Sequence, residues 1–314
     1  MADKSIFIAG HRGLVGSALV RLYSQQAGWR ILTRSRAELD LRDTSSVDRF
    51  FDAERPQHVI LAAARVGGIR ENADHQSEML LENLQIQNNV ISAAFRAGTD
   101  RFLFLGSSCI YPKLAPQPIR EDALLTGPLE PTNEGYALAK IAGLKLCQFL
   151  HRQHGRRFIS AMPTNLYGPH DNFDLESSHV LPALIRRCHE AKLAGARTVT
   201  LWGSGSPRRE FLHVDDCAAA CALLLERYES PEPVNVGVGE DVSIRELAEL
   251  VADIVGFRGG LQWDTSQPDG TPRKLLDVSR IRALGWKSRI GLREGIERTY
   301  RWFCEDASGA SRSR

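Results

Sequence analysis

The stretch that decides the fold lies near the N-terminus and reads Ile6-Phe7-Ile8-Ala9-Gly10-His11-Arg12-Gly13-Leu14-Val15-Gly16. Its first four residues are apolar, which predicts a buried strand, and the glycines that follow recur every third residue at the start of a helical pattern over residues 13–26. Such a turn lets a pyrophosphate approach the backbone and places a helix N-terminus before it. Since strand and helix flank it, the turn predicts a dinucleotide site built from Gly10, Arg12, Gly13, Leu14, Val15 and Gly16. An ordinary βα turn is the alternative.

Outward from this turn, strand and helix patterns alternate. Apolar, strand-like runs occur at residues 6–9, 29–32, 58–62, 102–105 and 158–162. Helical patterns occupy residues 13–26, 45–53, 77–96 and 134–151. This alternation predicts an α/β protein with a Rossmann-like, doubly wound parallel sheet and right-handed crossovers.

Beyond Pro163 the composition changes. Gly, Pro, Asn, Asp and His crowd residues 165–179, which predicts a segment lining a cleft. Further helices are predicted at residues 181–194, 215–228 and 243–255, the last capped by Ser243, and strands at 198–202 and 234–236. We predict a cofactor domain of residues 1–163 with return segments near 211–238 and 291–303. Residues 164–210 and 239–290 would form a smaller, discontinuous C-terminal substrate domain, and residues 304–314 a frayed tail.

Composition narrows the class of partner. The 40 basic and 38 acidic residues give a net charge of +2, which argues against a nucleic-acid partner. The longest apolar run, residues 217–225, is too short to span a bilayer, so no membrane partner is expected. Residues 1–4 lead directly into the first predicted strand and leave no room for a secretory signal. We therefore expect a cytoplasmic protein, and its cysteine spacing predicts free thiols and no metal site.

The end of the second predicted strand indicates which nicotinamide cofactor fits. NAD sites usually carry an acidic residue there, about 20 residues beyond the glycines, to hold the ribose 2′-hydroxyl. Here the sequence is Thr33-Arg34-Ser35-Arg36, and Arg12 lies in the glycine-rich turn. A guanidinium group binds a 2′-phosphate in a bidentate fork. Arg12 and Arg36 therefore favour NADP(H), the alternative being two surface arginines placed there by chance.

A candidate proton-transfer pair lies on one helix. Tyr136 and Lys140 are four residues apart and share a helix face. A neighbouring ammonium is expected to lower the phenol pKa and make the tyrosine a usable acid. Ser107 follows the strand at residues 102–105, at the sheet edge that borders the ligand crevice, and is placed to hold a substrate oxygen. The alternative is an ordinary surface pair, because Tyr-x-x-x-Lys is common by chance.

Together, the glycine triplet, Ser107 and the Tyr136–Lys140 pair resemble the extended short-chain dehydrogenase/reductase superfamily. Four longer strings, at residues 10–13, 106–113, 163–173 and 268–277, closely resemble the GDP-L-fucose synthases, and the resemblance extends from residue 6 to about 303. Gly135 departs from several relatives, which have proline before the tyrosine. We expect a looser start to that helix.

The resemblance implies a bifunctional reaction: inversion of C3 and C5 of GDP-4-keto-6-deoxy-D-mannose, then reduction of the C4 ketone by NADPH. Each inversion needs a base to remove a proton and an acid to return one on the opposite face. Cys109 and His179 match the family's positions for these groups, and which is base and which acid stays open. A buried cysteine and an inert loop histidine are the alternatives.

The same resemblance implies the other contacts. Lys140 and His179 would also contact the cofactor, and a homodimer would form through a helix pair that includes the Tyr136 helix. The candidate contacts to the nucleotide sugar are Asn165, Arg187, Trp202, Arg209 and Lys274.

Two other functions compete. One is an NAD-dependent nucleotide-sugar 4-epimerase or dehydratase of the same superfamily, which Arg12 and Arg36 disfavour. The other is a non-enzymatic NADP-binding sensor, which would have no use for a proton relay of Ser107, Tyr136 and Lys140.

Overall fold

The computed structural model describes residues 4–267 and 269–311, without the side chains of residues 69 and 306–311. The helices are α1 (Leu14–Ser24), α2 (Thr44–Glu54), α3 (Ile69–Asp74), α4 (Gln76–Arg96), α5 (Glu134–His154), α6 (Val180–Leu193), α7 (Val214–Arg227), α8 (Ile244–Val255), α9 (Ser279–Ala283) and α10 (Leu292–Ser311). The strands are β1 (Lys4–Ala9), β2 (Trp29–Leu32), β3 (His58–Leu61), β4 (Arg101–Leu105), β5 (Arg157–Pro163), β6 (Asn165–Tyr167), β7 (Thr198–Trp202), β8 (Arg208–Arg209), β9 (Phe211–His213), β10 (Val234–Val236), β11 (Val242–Ser243), β12 (Gly260–Asp264) and β13 (Arg273–Lys274).

The main sheet is parallel and has the order β10-β5-β4-β3-β1-β2. The chain leaves β1 toward β2 and then returns to the other side of β1 with β3. This reversal creates a crevice at the carboxyl ends of β1 and β3, where doubly wound sheets bind ligands. The glycine-rich turn directly follows β1 and therefore borders that crevice. The predicted α/β class with a Rossmann-like sheet is confirmed.

Two hydrophobic clusters organise the chain. The larger surrounds the main sheet, and its central strand residues Ile6 and Ile60 are completely buried, as expected for parallel strands covered on both faces. The smaller cluster joins α6, α8, α10 and β7 through residues such as Leu184, Leu247 and Ile296. Here β12, a strand that the sequence analysis did not predict, pairs in parallel with β7.

The packing differs from the expected domain boundaries in two segments. The helix α10 was expected to return to the sheet, but its apolar stripe of Leu292, Ile296 and Tyr300 packs in the smaller cluster. Conversely, Leu276 and Ile281 were expected in the substrate domain and lie in the larger cluster. Spacing along one helix shows which face is apolar, whereas the partner of that face depends on the fold.

Helix α10 continues to Ser311. The frayed tail expected over residues 304–314 stays a prediction. Residues 312–314 and 1–3 lie outside the described residues. Across the described ranges, no helix combines the length and the apolar character that crossing a membrane requires.

The helix cap predicted from the local sequence agrees with the structure. Ser243 caps α8 as predicted: its hydroxyl accepts the backbone N–H of Glu246, whose carboxylate accepts the Ser243 N–H in return. This reciprocal pair is the capping box that a Ser-x-x-Glu sequence encodes. The cysteines at positions 109, 147, 188, 217, 221 and 304 are free thiols, as expected.

Candidate active site

The glycine-rich turn has the geometry that a pyrophosphate needs. Gly10 has a φ of +87°, and a Cβ there would lie 2.8 Å from the Cα of Ala63. A Cβ on Gly16 would lie 2.1 Å from the carbonyl oxygen of Gly10, so helix and turn touch directly. Gly13 directly precedes α1 and has no side chain to cap the free N–H groups of the first turn. Those N–H groups are therefore available to phosphate oxygens.

Three arginines lie in the glycine-rich turn or just after β2, and they differ in whether protein groups already bind them. Arg34 is engaged: it donates to the Glu54 carboxylate at 2.6 Å and its guanidinium lies 5.2 Å from the centre of the Phe50 ring. Arg12 and Arg36 are exposed, and within the described ranges neither makes a hydrogen bond or an ion pair. Thus Arg12 and Arg36, the two predicted residues, are free to meet a phosphate at this position.

Ser107, Tyr136 and Lys140 meet at the carboxyl end of β4. The Ser107 hydroxyl lies close enough to the Tyr136 phenol to lower its pKa. On the next turn of α5, the ammonium of Lys140 lies 5.7 Å from the centre of the Tyr136 ring and donates to the carbonyl oxygen of Leu105 at 2.8 Å. The fold therefore brings together the three residues that sequence spacing had linked.

The electrostatics of this trio differ from the expectation. Burial lowers the pKa of Lys140 to about 7, and burial also raises the pKa of the Tyr136 phenol. The predicted lowering of the phenol pKa by the ammonium is not found, and the influence that lowers it comes from the Ser107 hydroxyl. Lys140 donates to a backbone carbonyl instead of the phenol, and the loss of solvation is the larger effect on both groups.

Cys109 lies in a 3-10 turn directly after β4. The Ser107 hydroxyl accepts the N–H of Cys109 at 3.2 Å and so orients that turn. The Cys109 sulfur lies 3.5 Å from the Lys274 ammonium and 3.5 Å from the Asn133 amide nitrogen. Both of these nitrogens only donate hydrogen bonds, so the sulfur is the acceptor in both contacts. The arrangement suits a group that accepts a proton.

His179 directly precedes α6. The protein around its imidazole, followed by the positive charge of Lys274, lowers the pKa of that ring. The lowered pKa favours the neutral imidazole. Because Lys274 acts on His179 and contacts Cys109, it connects the two residues predicted to handle protons.

Arg209 is the second cation at this site. It is half-buried, and although burial lowers its pKa, the charges of Cys109 and Glu130 oppose that effect. A Cβ on Gly270 would lie only 3.1 Å from its guanidinium, so the 269–277 segment packs directly against it. Arg209 and Lys274 thus converge near Cys109, and both are predicted contacts to the nucleotide sugar.

The remaining candidates are less closely connected. The Asn165 amide donates one of its two NH₂ hydrogens to the carbonyl oxygen of Glu210 at 2.8 Å, which fixes the position of the side chain. Trp202 ends β7 with 62% of its surface exposed, and Arg187 is half-buried on α6. In the described part of the chain, no hydrogen bond or ion pair links Trp202 or Arg187 to the group around Cys109.

Gly135 does not loosen the start of α5. Its N–H donates to the Gln76 side chain at 3.2 Å, and a Cβ at this position would lie 2.4 Å from the Gln76 carbonyl oxygen. The expectation of a looser start was wrong, because the close approach of α4 requires glycine here and uses its N–H.

Comparison with known proteins places this site in a family. Residues 6–237 match the NAD dependent epimerase/dehydratase family. The chain belongs to this family. GDP-L-fucose synthase 1 of Arabidopsis thaliana is 58% identical over 308 residues, covering 98% of this chain and 95% of that protein. GDP-L-fucose synthase of Escherichia coli K12 is 52% identical over 315 residues, 98% of each chain. A solved gdp-l-fucose synthetase from Naegleria fowleri bound to NADP has a TM-score of 0.90 and 30% identity, over 98% of this chain and 96% of that one.

In this family member, sequence reasoning missed Asn133 and Glu130. Asn133 directly precedes α5, where an asparagine is typical of a helix cap, yet its side chain makes no capping bond and contacts Cys109 instead. Its amide oxygen is buried without a hydrogen-bond partner among the described residues. Glu130 accepts from Lys113 at 3.0 Å and from Thr271 at 3.2 Å. No local pattern separates these residues from ordinary turn residues.

Proposed function

We propose that this protein catalyses 3,5-epimerisation and NADPH-dependent 4-reduction of GDP-4-keto-6-deoxy-D-mannose, yielding GDP-L-fucose. The observation that carries the proposal is the contact of the Cys109 sulfur with Lys274, whose charge also acts on His179, close to the Ser107, Tyr136 and Lys140 group. Ketone reduction alone would need only the tyrosine and its neighbours. A second pair of proton-handling groups is what inversion at two carbons adds.

The residues around the glycine-rich turn fit NADP(H). The turn leaves room for a pyrophosphate, the first N–H groups of α1 are uncapped, and Arg12 and Arg36 are free for the 2′-phosphate. When bound, NADPH supplies the hydride for the C4 ketone. Leu14 and Val15 in the first turn of α1, together with Lys140 and His179, would complete the contacts to the cofactor.

In the epimerisation, Cys109 and His179 exchange protons with C3 and C5. Both carbons are α to the C4 ketone, so removing either hydrogen produces an enolate with negative charge on O4. One side chain takes the proton and the other returns a proton to the opposite face, which inverts the carbon. The Lys274 ammonium contacts the Cys109 sulfur and its charge also acts on His179, so both proton-handling side chains respond to the same cation.

In the reduction, Tyr136 would donate its phenolic proton to O4. Ser107 lies beside the phenol and would donate its single hydroxyl hydrogen to O4 when the sugar is bound. Lys140, with a pKa that burial lowers to about 7, sits one helical turn away and supports the return of a proton to the tyrosine. The ketone gains a hydride and a proton and becomes the C4 alcohol.

We further propose that the diphosphate binds to Arg209 and Lys274, with Arg187, Trp202 and Asn165 completing the nucleotide-sugar groove. The protein would act in the cytoplasm as a homodimer. The dimer contact would be the face of α4 and α5 that exposes Leu81, Leu138 and Phe149, which are 58%, 43% and 48% exposed. Large exposed apolar side chains grouped on adjacent helices are typical of interaction surfaces.

The test is to incubate the purified protein with NADPH and GDP-4-keto-6-deoxy-D-mannose in D₂O. We expect NADPH consumption and GDP-L-fucose with deuterium at C3 and C5. Tyr136→Phe should lower the rate of reduction by roughly 10²–10⁴ while exchange at C3 and C5 survives. Cys109→Ser should suppress the exchange, and Cys188→Ser, which removes a buried thiol elsewhere, should not. Wild-type exchange in Cys109→Ser would remove Cys109 from the mechanism, and a wild type that consumes no NADPH would contradict the proposed function.

A further inference from the structure

Glu210 is a completely buried acidic residue between β8 and β9. One carboxylate oxygen accepts the N–H of Gly239 at 2.6 Å and the other accepts the N–H of Leu276 at 3.1 Å. No lysine or arginine forms an ion pair with it in the described ranges. Burying a carboxylate is costly unless hydrogen bonds satisfy it, and here the backbone of two separate segments does so.

The backbone of Glu210 holds a third segment. Its carbonyl oxygen accepts the Asn165 amide at 2.8 Å and the Thr164 hydroxyl at 3.3 Å. This single residue therefore joins the chain after β5, the β8–β9 connection, the loop after β10 and the segment after β13. Three of the proposed substrate contacts lie on these segments: Asn165 bonds to Glu210, Arg209 precedes it, and Lys274 lies two residues before Leu276.

Glu210 also lies where the two hydrophobic clusters meet. Its neighbour Phe211 belongs to the smaller cluster, whereas Leu276, which it holds through the backbone, belongs to the larger. We propose that Glu210 is a positioning residue for the nucleotide sugar, setting Asn165, Arg209 and Lys274 at their mutual distances across the crevice. This inference rests on the proposed function. It assigns Glu210 no contact with substrate and no part in proton transfer.

The first test variant is Glu210→Gln, which keeps the shape of the side chain. Its NH₂ group must face a backbone N–H of Gly239 or Leu276, and two donors cannot hydrogen-bond each other. One segment will therefore shift. We expect KM for GDP-4-keto-6-deoxy-D-mannose to rise by about tenfold or more, as misplaced binding groups cause, while KM for NADPH stays unchanged. GDP binding, titrated in parallel, should weaken similarly.

Asp216→Asn is the matched control. Asp216 is also a buried carboxylate, 5% exposed, and it accepts the backbone N–H groups of Arg289 at 3.0 Å and Ile290 at 2.8 Å. It joins α7 to the segment before α10 and holds none of the proposed substrate contacts. We expect Asp216→Asn to lower the melting temperature, as Glu210→Gln will, without changing KM for the sugar nucleotide or the affinity for GDP.

Gly237→Ala provides an independent second variant if Glu210→Gln fails to fold. A Cβ on Gly237 would lie 2.3 Å from a Glu210 carboxylate oxygen, so the methyl group displaces the carboxylate and leaves its charge in place. The same selective rise in KM for the sugar nucleotide is expected. Unchanged KM and GDP affinity in either folded variant would overturn the positioning role. A wild type that binds GDP but turns over no keto sugar would contradict the proposed function alone, since GDP affinity still tests Glu210.

Discussion

Lys140 is a buried ammonium, 4% exposed, whose hydrogen-bond partner is the carbonyl oxygen of Leu105. Its neighbours Phe104 and Tyr136 present aromatic rings to it, 4.9 and 5.7 Å from the nitrogen, and supply no counter-charge. Burial therefore destabilises its charged form and lowers its pKa from 10.5 to about 7. Functional sites often retain such a residue at a cost to the stability of the fold.

Lys140→Met is expected to stabilise the protein at pH 7 by about 1–3 kcal/mol, or roughly 3–8 °C in melting temperature, while abolishing reduction. The unfolded chain binds the lysine proton up to its ordinary pKa of 10.5, whereas the folded chain releases it near 7. Wild-type stability therefore rises with pH across that interval, and the advantage of the variant should shrink from pH 7 to pH 10. Thermal melts at several pH values measure this, and an advantage independent of pH would contradict the assigned pKa.

At the residue scale, the predictable side chains were those with regular spacing. Tyr136 and Lys140 share a helix face whatever the rest of the fold does, and Ser107 follows a strand whose carboxyl end borders the crevice. Asn133 and Lys274 were different, because their meeting at the Cys109 sulfur depends on segments far apart in the chain. The sequence assigned Lys274 to a phosphate and did not single out Asn133.

At the scale of one element, the glycines of the turn between β1 and α1 serve different purposes, some for folding and one for binding. A Cβ on Gly10 or Gly16 would clash with backbone, whereas a Cβ on Gly13 would lie an ordinary 3.5 Å from the nearest atom, the Gly10 carbonyl oxygen. Gly10 and Gly16 are thus required by the packing of the turn. Gly13 is exposed, and a methyl group there would point into space that a pyrophosphate needs.

Gly13→Ala is therefore expected to fold with an unchanged melting temperature and to bind NADPH about tenfold or more weakly. Fluorescence titration with NADPH measures the affinity. Gly291→Ala is the control, because a Cβ there meets nothing within 4 Å and lies outside the glycine-rich turn. An unchanged affinity for NADPH in Gly13→Ala would show that the pyrophosphate does not approach this part of the turn.

At the scale of the whole molecule, α4 and α5 expose an apolar face that includes Leu138 and Phe149. Leu138 and Phe149 lie eleven residues apart, about three turns of α5, and so project from similar sides of that helix. The same helix carries Tyr136 and Lys140 in its first two turns. A homodimer formed on this face would therefore brace the helix that holds the proposed proton donor.

The double variant Leu138→Glu/Phe149→Glu is expected to be monomeric in analytical ultracentrifugation, with the wild type dimeric. Leu193→Glu, which changes an equally apolar side chain, 73% exposed at the end of α6, should stay dimeric. A wild type that sediments as a monomer would disprove the homodimer. If both variants are dimers, the dimer contact lies on another surface.

The sequence by itself determined the individual strands and helices of the α/β pattern, the glycine-rich turn and the Tyr136 helix, since each is recognised from residues close in the chain. Ser243 could be predicted as a cap for the same reason. Only the tertiary structure decided that α10 joins the smaller cluster, that Lys274 contacts Cys109 while its charge acts on His179, and that Glu210 ties three segments together. Those contacts join residues tens to more than a hundred positions apart, and local spacing carries no information about which distant surfaces meet.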